Sequence, residues 1–118
     1  MQLSDLRVVR PSAAEGAVPS GHWDVVARDL VAAHTGARLQ YCEMRKGGGA
    51  EPHVHEDENQ IFFVIEGALV LDDADGRSVG VSAGEGAFIP AGALHGTLNG
   101  AEDTTTYLVI TYSRVASP

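Results

Sequence analysis

Apolar residues in this chain recur in short alternating or continuous runs, bounded by glycine, proline and aspartate, and not at helical spacing over long stretches. Residues 37–45 (ARLQYCEMR) alternate well enough for a strand, and the Gly47-Gly48-Gly49 run after them predicts a tight turn, because glycine tolerates backbone angles closed to other residues. Residues 60–66 (QIFFVIE) form an Ile-, Phe- and Val-rich strand ending at Gly67, and 68–72 form another. Asp73-Ala74-Asp75-Gly76 marks a hairpin whose return strand is 77–81. After an Ala83-Gly84 turn, 86–89 make a short strand stopped by Pro90, which cannot donate to a ladder. Turns at Ala91-Gly92 and Asn99-Gly100 flank His95, and 104–112 (TTTYLVITY) form a long β-branched final strand. Residues 23–33 read two ways. Val26, Leu30 and Ala33 would line a helix face, whereas WDVVA and DLVAA fit strand pieces, and strand is favoured. Strands at this spacing imply an all-β sandwich or barrel.

Composition narrows the picture. With 118 residues the chain is long enough for one core and too short for two. Residues 11–21 are Ala-, Ser-, Gly- and Pro-rich and too poor in large side chains to order themselves. We therefore divide the chain into an amino-terminal arm, 1–22, laid over the barrel or a partner subunit, and a barrel domain, 23–118. A net charge of -8 with no basic cluster disfavours nucleic acid and membrane surfaces as partners. The lone Cys42 fits a small buried apolar residue in a reducing compartment, and no stretch has signal-peptide or membrane-span character, so a cytoplasmic location is expected.

The candidate chemistry lies at 53–60. His53 and His55 are two apart, so in an extended chain both side chains point to one face, roughly 7 Å apart at the backbone and close enough to converge on a metal ion. Gln60 joins that face only if Glu56-Asp57-Glu58-Asn59 turns or bulges. His95 needs a second hairpin to reach them.

These residues resemble the two motifs of the cupins. In the first, Gly47, His53, His55 and Gly67 match, with Gln60 where the family usually has an acid; in the second, Gly84, Pro90, Gly92, His95 and Asn99 match without a gap. The resemblance implies a double-stranded β-helix, the cupin jelly-roll barrel, and one divalent transition metal (Zn, Ni, Mn, Fe or Co) held by His53, His55, Gln60 and His95. A barrel that has lost its metal is the alternative. The resemblance also implies a homodimer and a small-molecule substrate. His22 and His34 lie outside both motifs and are assigned surface or turn roles.

Gln60 offers a neutral carbonyl oxygen where glutamate would offer an anion. Three imidazoles and an amide leave the full charge on a divalent ion, which favours polarising a carbonyl over stabilising a ferric state. Cupins with glutamine at this position include uronate-ketonising proteins, an isomerase subfamily of antibiotic biosynthesis and cyclases of aromatic polyketides. Of the last-strand residues that mark the uronate group, the aligned positions here are Leu108, Ile110 and Arg114, and only the arginine is retained. The resulting expectation is a metal-dependent isomerase, tautomerase or cyclase acting on a small carbonyl compound. A three-histidine iron dioxygenase and a non-catalytic metabolite-binding cupin are the alternatives. If Leu108, Ile110 and Tyr112 share the inward face, the pocket is apolar with one phenol. Tyr112, Glu58, Arg114 and Tyr41 are the candidate catalytic side chains, and Glu58 could also replace Gln60 as ligand.

Overall fold

The computed structural model describes residues 6–32 and 36–114. Its strands are β1 (Gly16–Ala17), β2 (His22–Val31), β3 (Ala37–His53), β4 (Glu58–Glu66), β5 (Ala68–Asp72), β6 (Ser78–Ser82), β7 (Gly86–Ile89), β8 (His95–Asn99) and β9 (Thr105–Ser113). Hydrogen-bonded neighbours run β6-β5-β8-β3-β9-β4-β7, with β2 on β3 and β1 on β2, and every pairing is antiparallel. The result is a nearly closed all-β jelly roll. The ambiguous segment is strand over 22–31; Ala33 and His34 lie outside the described residues.

β3 serves both walls of the barrel. Its first half pairs with β9 and its last residues with β8, while β2 follows its other edge. The predicted turn at Gly47–Gly49 is therefore a correction: the chain continues as strand through the glycines. Glycine is needed there for close approach. A Cβ on Gly49 would sit 2.6 Å from the Thr97 carbonyl oxygen and 2.8 Å from the Trp23 ring. Of the described residues before β2, Gly16 and Ala17 pair with Arg28 and Ala27, and the Arg28 Nη1 donates to the Ala14 carbonyl at 2.7 Å.

Alternation along the strands sets the core. On β9 the buried residues are Thr105, Tyr107, Val109 and Thr111, so Leu108, Ile110 and Tyr112 face outward, one residue out of step with the expected inward set. On β3, Cys42 and Met44 are buried while Tyr41 takes the opposite face. Val25, Met44, Val64 and Leu69 are almost wholly buried at the centre. Among the described residues no helix is long and apolar enough to cross a membrane.

Candidate metal centre

Two irregularities in strand register bring the histidines together. Between Ala50 and His53, β3 advances three residues while β8 advances two, from Thr97 to His95. This bulge turns His53 to the inner face directly opposite His95. A second irregularity, between Trp23 and Val25, places Asp24 at φ 54 and turns His22 inward beside Ala50. Beyond β3, residues 54–57 make the turn that Gln60 required. The loop is pinned by Gly92 N donating to the His55 carbonyl at 2.8 Å and Arg114 N donating to the Asp57 carbonyl at 2.9 Å. Gln60 then falls on the same face of β4 as Phe62 and Val64.

The ligand atoms of His53, His55 and His95 all lie within 4.8 Å of one another. Three histidines have their Nδ1 fixed by the carbonyl two residues earlier: His53 to Glu51 at 2.7 Å, His95 to Ala93 at 3.0 Å and His22 to Ser20 at 2.9 Å. A carbonyl at Nδ1 requires a proton there, which leaves the Nε2 lone pair for a ligand. Burial, reinforced by the neighbouring imidazole of His53, holds the His55 pKa below the ordinary imidazole value. Burial lowers His95 as well, against an opposing hydrogen bond to Ala93. Both rings are thus neutral and competent to ligate at neutral pH.

Gln60 is 8% exposed, and its Nε2 donates to Thr111 Oγ1 at 3.1 Å, so its Oε1 is oriented by the bond its own amide makes. Gln60 Oε1 and His95 Nε2 are buried with no protein partner. Most buried polar atoms have one. Both orphans are atoms that ligate divalent metals, and together with His53 and His55 they make a donor set that fits such an ion.

His53, His55 and Gln60 open on a cavity of about 340 Å³. Its polar wall includes His22, Arg38, Gln40, His53, His55 and Gln60, and its apolar wall Val25, Ala27, Phe62 and Val109. Phe62 stacks on Tyr107 at 5.9 Å and meets His95 edge-on at 6.3 Å. Cys42 and Tyr107 complete the floor. Burial pushes the Cys42 thiol up to about 12 and raises the Tyr107 phenol further, so both keep their protons.

Of the other predicted residues, Tyr41 and Tyr112 are on the outer faces of β3 and β9, and neither lines the cavity. Glu58 shares the Gln60 face but pairs with Ser113 at the strand end, and Arg114 is exposed beyond β9; neither lines the cavity. His22, assigned a surface or turn role, instead lines it, with its ring 5.9 Å from that of His53. Arg38 and Gln40 also face it, which alternation from Cys42 could have suggested.

A jelly roll with three converging histidines and two orphaned buried ligand atoms defines a β-barrel of the cupin type with a cluster that could hold a metal ion. The sequence profile of the family described as "Cupin domain" matches residues 40–111, and the chain belongs to that family. Among solved structures it is similar to the polyketide cyclase RemF from Streptomyces resistomycificus, with 28% identity, a TM-score of 0.77, and coverage of 95% of this chain and 87% of that one. A predicted oxalate decarboxylase from Thermotoga maritima superposes with a TM-score of 0.82 at 24% identity over 92% of this chain and 100% of that one, a likeness of fold. The uncharacterized protein YdbB of Bacillus subtilis (strain 168) is 36% identical over 45 residues, which are 38% of this chain and 40% of that relative.

Proposed function

We propose that the chain is a metal-dependent isomerase, tautomerase or cyclase acting on a small carbonyl-containing metabolite, aromatic or polyketide-like in shape. The observation that carries this reading is the buried, unpartnered Oε1 of Gln60 on the cavity that His53 and His55 also line. His53, His55, His95 and Gln60 would hold a divalent ion with neutral donors alone, and such an ion supplies Lewis acidity toward a carbonyl oxygen.

The remaining chemistry belongs to the protein's own groups. His22 is the cavity residue suited to take up a proton, because its Nδ1–H is held by Ser20 and its Nε2 lone pair is left available. Cys42 and Tyr107, held protonated by burial, can donate hydrogen bonds but are poor bases. Val25, Ala27, Phe62 and Val109 exclude water and accept a flat apolar body. The likeness to a polyketide cyclase supports the same class.

Deuterium exchange at the acetyl methyl of an aryl methyl ketone, followed by NMR under anaerobic conditions, tests the reading. Exchange should require protein purified with its metal, persist without dioxygen, and vanish in His53→Ala and His95→Ala variants, whose metal content by elemental analysis should fall to background. Turnover that needs dioxygen would establish the oxygenase alternative. Protein that never acquires metal, or ligand binding indifferent to both substitutions, would leave a binding module.

A further inference from the structure

The chain carries 16 Asp and Glu residues, yet among the described residues none lines the cavity; the charged lining residue there is Arg38, in the company of imidazoles and amides. On a protein of net charge -8, a pocket lined by an arginine and by no carboxylate is a place where an anion meets less repulsion than over the surface as a whole. Arg38 is also held in place. Asp29 on β2 accepts from its Nε at 3.0 Å and its Nη2 at 3.3 Å, one edge of the guanidinium, and Nη1 is not engaged by that pair. A guanidinium has five N–H donors in a rigid fork, so the Asp29 contact fixes the plane and leaves donors for a second anion.

The sheet sets the distance from this cation to the metal centre. Thr111 on β9 is the register partner of Arg38 on one side and of Gln60 on the other. Arg38, Thr111 and Gln60 therefore form one row across the inner face, and two strand spacings separate the outer members by roughly 10 Å at the backbone. Gln40, two residues along the same face from Arg38, adds a second polar group at that end.

From this row we infer that the substrate is an anion, a small aryl or polyketide-like carbonyl compound bearing a remote carboxylate, with Arg38 as its specificity-determining residue. The carbonyl end lies toward Gln60 and the histidines, and the carboxylate lies on Arg38 with Gln40 beside it. Asp29 is a positioning residue. This inference rests on the reading of the cavity as a carbonyl-binding site, but the anion site can be tested without that chemistry.

The probes are 4-acetylbenzoate, which carries a ketone and a carboxylate at opposite ends of one ring and cannot chelate an ion through both, and its neutral isostere 4-acetylbenzamide. Calorimetric titration of the metal-loaded full chain should show the acid binding about tenfold more tightly than the amide, a modest factor because Arg38 is partly exposed. Arg38→Met should bring the ratio to about one and Arg38→Lys to an intermediate value, with thermal unfolding confirming that both fold. Equal binding of the two probes by the wild type, a preference that survives Arg38→Met, or no measurable binding of either probe overturns the inference. Repeating the titration on metal-stripped protein separates the two readings. An Arg38-dependent preference that persists there upholds the anion site even if Lewis-acid turnover fails, whereas metal-dependent exchange on acid and amide alike, indifferent to Arg38, sinks the anion site and leaves the turnover reading standing.

Discussion

Gln60→Glu is the sharpest perturbation of the proposed centre, because it exchanges the proposed neutral ligand for an anion at constant shape. The side chain is 8% exposed, and Thr111 Oγ1 can reverse its role and donate to a carboxylate, so the one hydrogen bond is retained. Without metal, the new carboxylate is buried beside imidazoles that are themselves neutral. Its carboxyl pKa should rise by about two units, a loss of about 3 kcal/mol at neutral pH. For a domain of this size that is a fall in thermal midpoint of roughly 12 °C. With a divalent ion present, the same charge faces the cation, and the deficit should be recovered. Midpoints measured by differential scanning fluorimetry with chelator and with zinc should therefore differ far more for the variant than for the wild type. Gln60→Leu gives the opposite signature. It removes the orphaned Oε1, whose burial costs about 1–3 kcal/mol, at the expense of the Thr111 bond, so metal-free stability changes little while the metal-induced shift shrinks. A Gln60→Glu protein whose zinc-induced shift is no larger than that of the wild type would show that Gln60 does not face the ion.

Gly49→Ala should cost more than about 3 kcal/mol in urea unfolding, because its Cβ would meet the Thr97 carbonyl oxygen at 2.6 Å; Gly80→Ala, with open space around its Cβ, should stay within about 1 kcal/mol. Cys42 is 3% exposed and its thiol is pushed up to about 12 from an ordinary 9.0, chiefly by burial, so native protein should resist iodoacetamide at pH 8 while urea-unfolded protein reacts. The folded state keeps the thiol proton that the unfolded state sheds, so the contribution to stability is complete below about pH 9 and is lost as pH rises toward 12. On the outer sheet face, Phe63 (42% exposed), Ile65 (47%) and Phe88 (58%) adjoin Ile61, Leu108 and Ile110, and we propose that a second copy of the chain covers them. Sedimentation should find a dimer, and Phe63→Glu with Phe88→Glu should yield a folded monomer; a monomeric wild type refutes the proposal.

Strand positions and turn chemistry could be read from residue types, because Asp75-Gly76, Pro90 and the long β-branched run at 104–112 each act locally. The glycine run could not. Three glycines permit a turn, and only the crossing of Thr97 and Trp23 over Gly49 shows that they serve close packing inside a continuing strand. Facing was ambiguous for a related reason. On β9 both Tyr107-Val109 and Leu108-Ile110 are apolar, so alternation supplies no sign, and the buried set is chosen by the neighbours Cys42 on β3 and Phe62 on β4. An outer face that is also apolar defeats a rule that assumes water on one side.

Local spacing also decides which histidines were visible in the sequence. His53 and His95 carry motif spacing, and spacing survives a bulge because a bulge shifts register without changing sequence distance. His22 has no such mark, and simple alternation from Val25 would turn it to solvent. It reaches the cavity because of the irregularity at Asp24, a non-glycine residue at φ 54, a conformation that aspartate adopts more readily than most residues. The imidazoles of His53 and His22 thus each turn inward next to a break in register, one residue at Ala50–His53 and three residues at Trp23–Val25, on adjacent strands paired at His22 and Ala50. Removing the one-residue bulge between Ala50 and His53 would shift His53 to the other face of β3 and turn its imidazole outward. The ladder irregularities therefore belong to the site as much as the side chains do, and they are the part of it that composition and spacing do not encode.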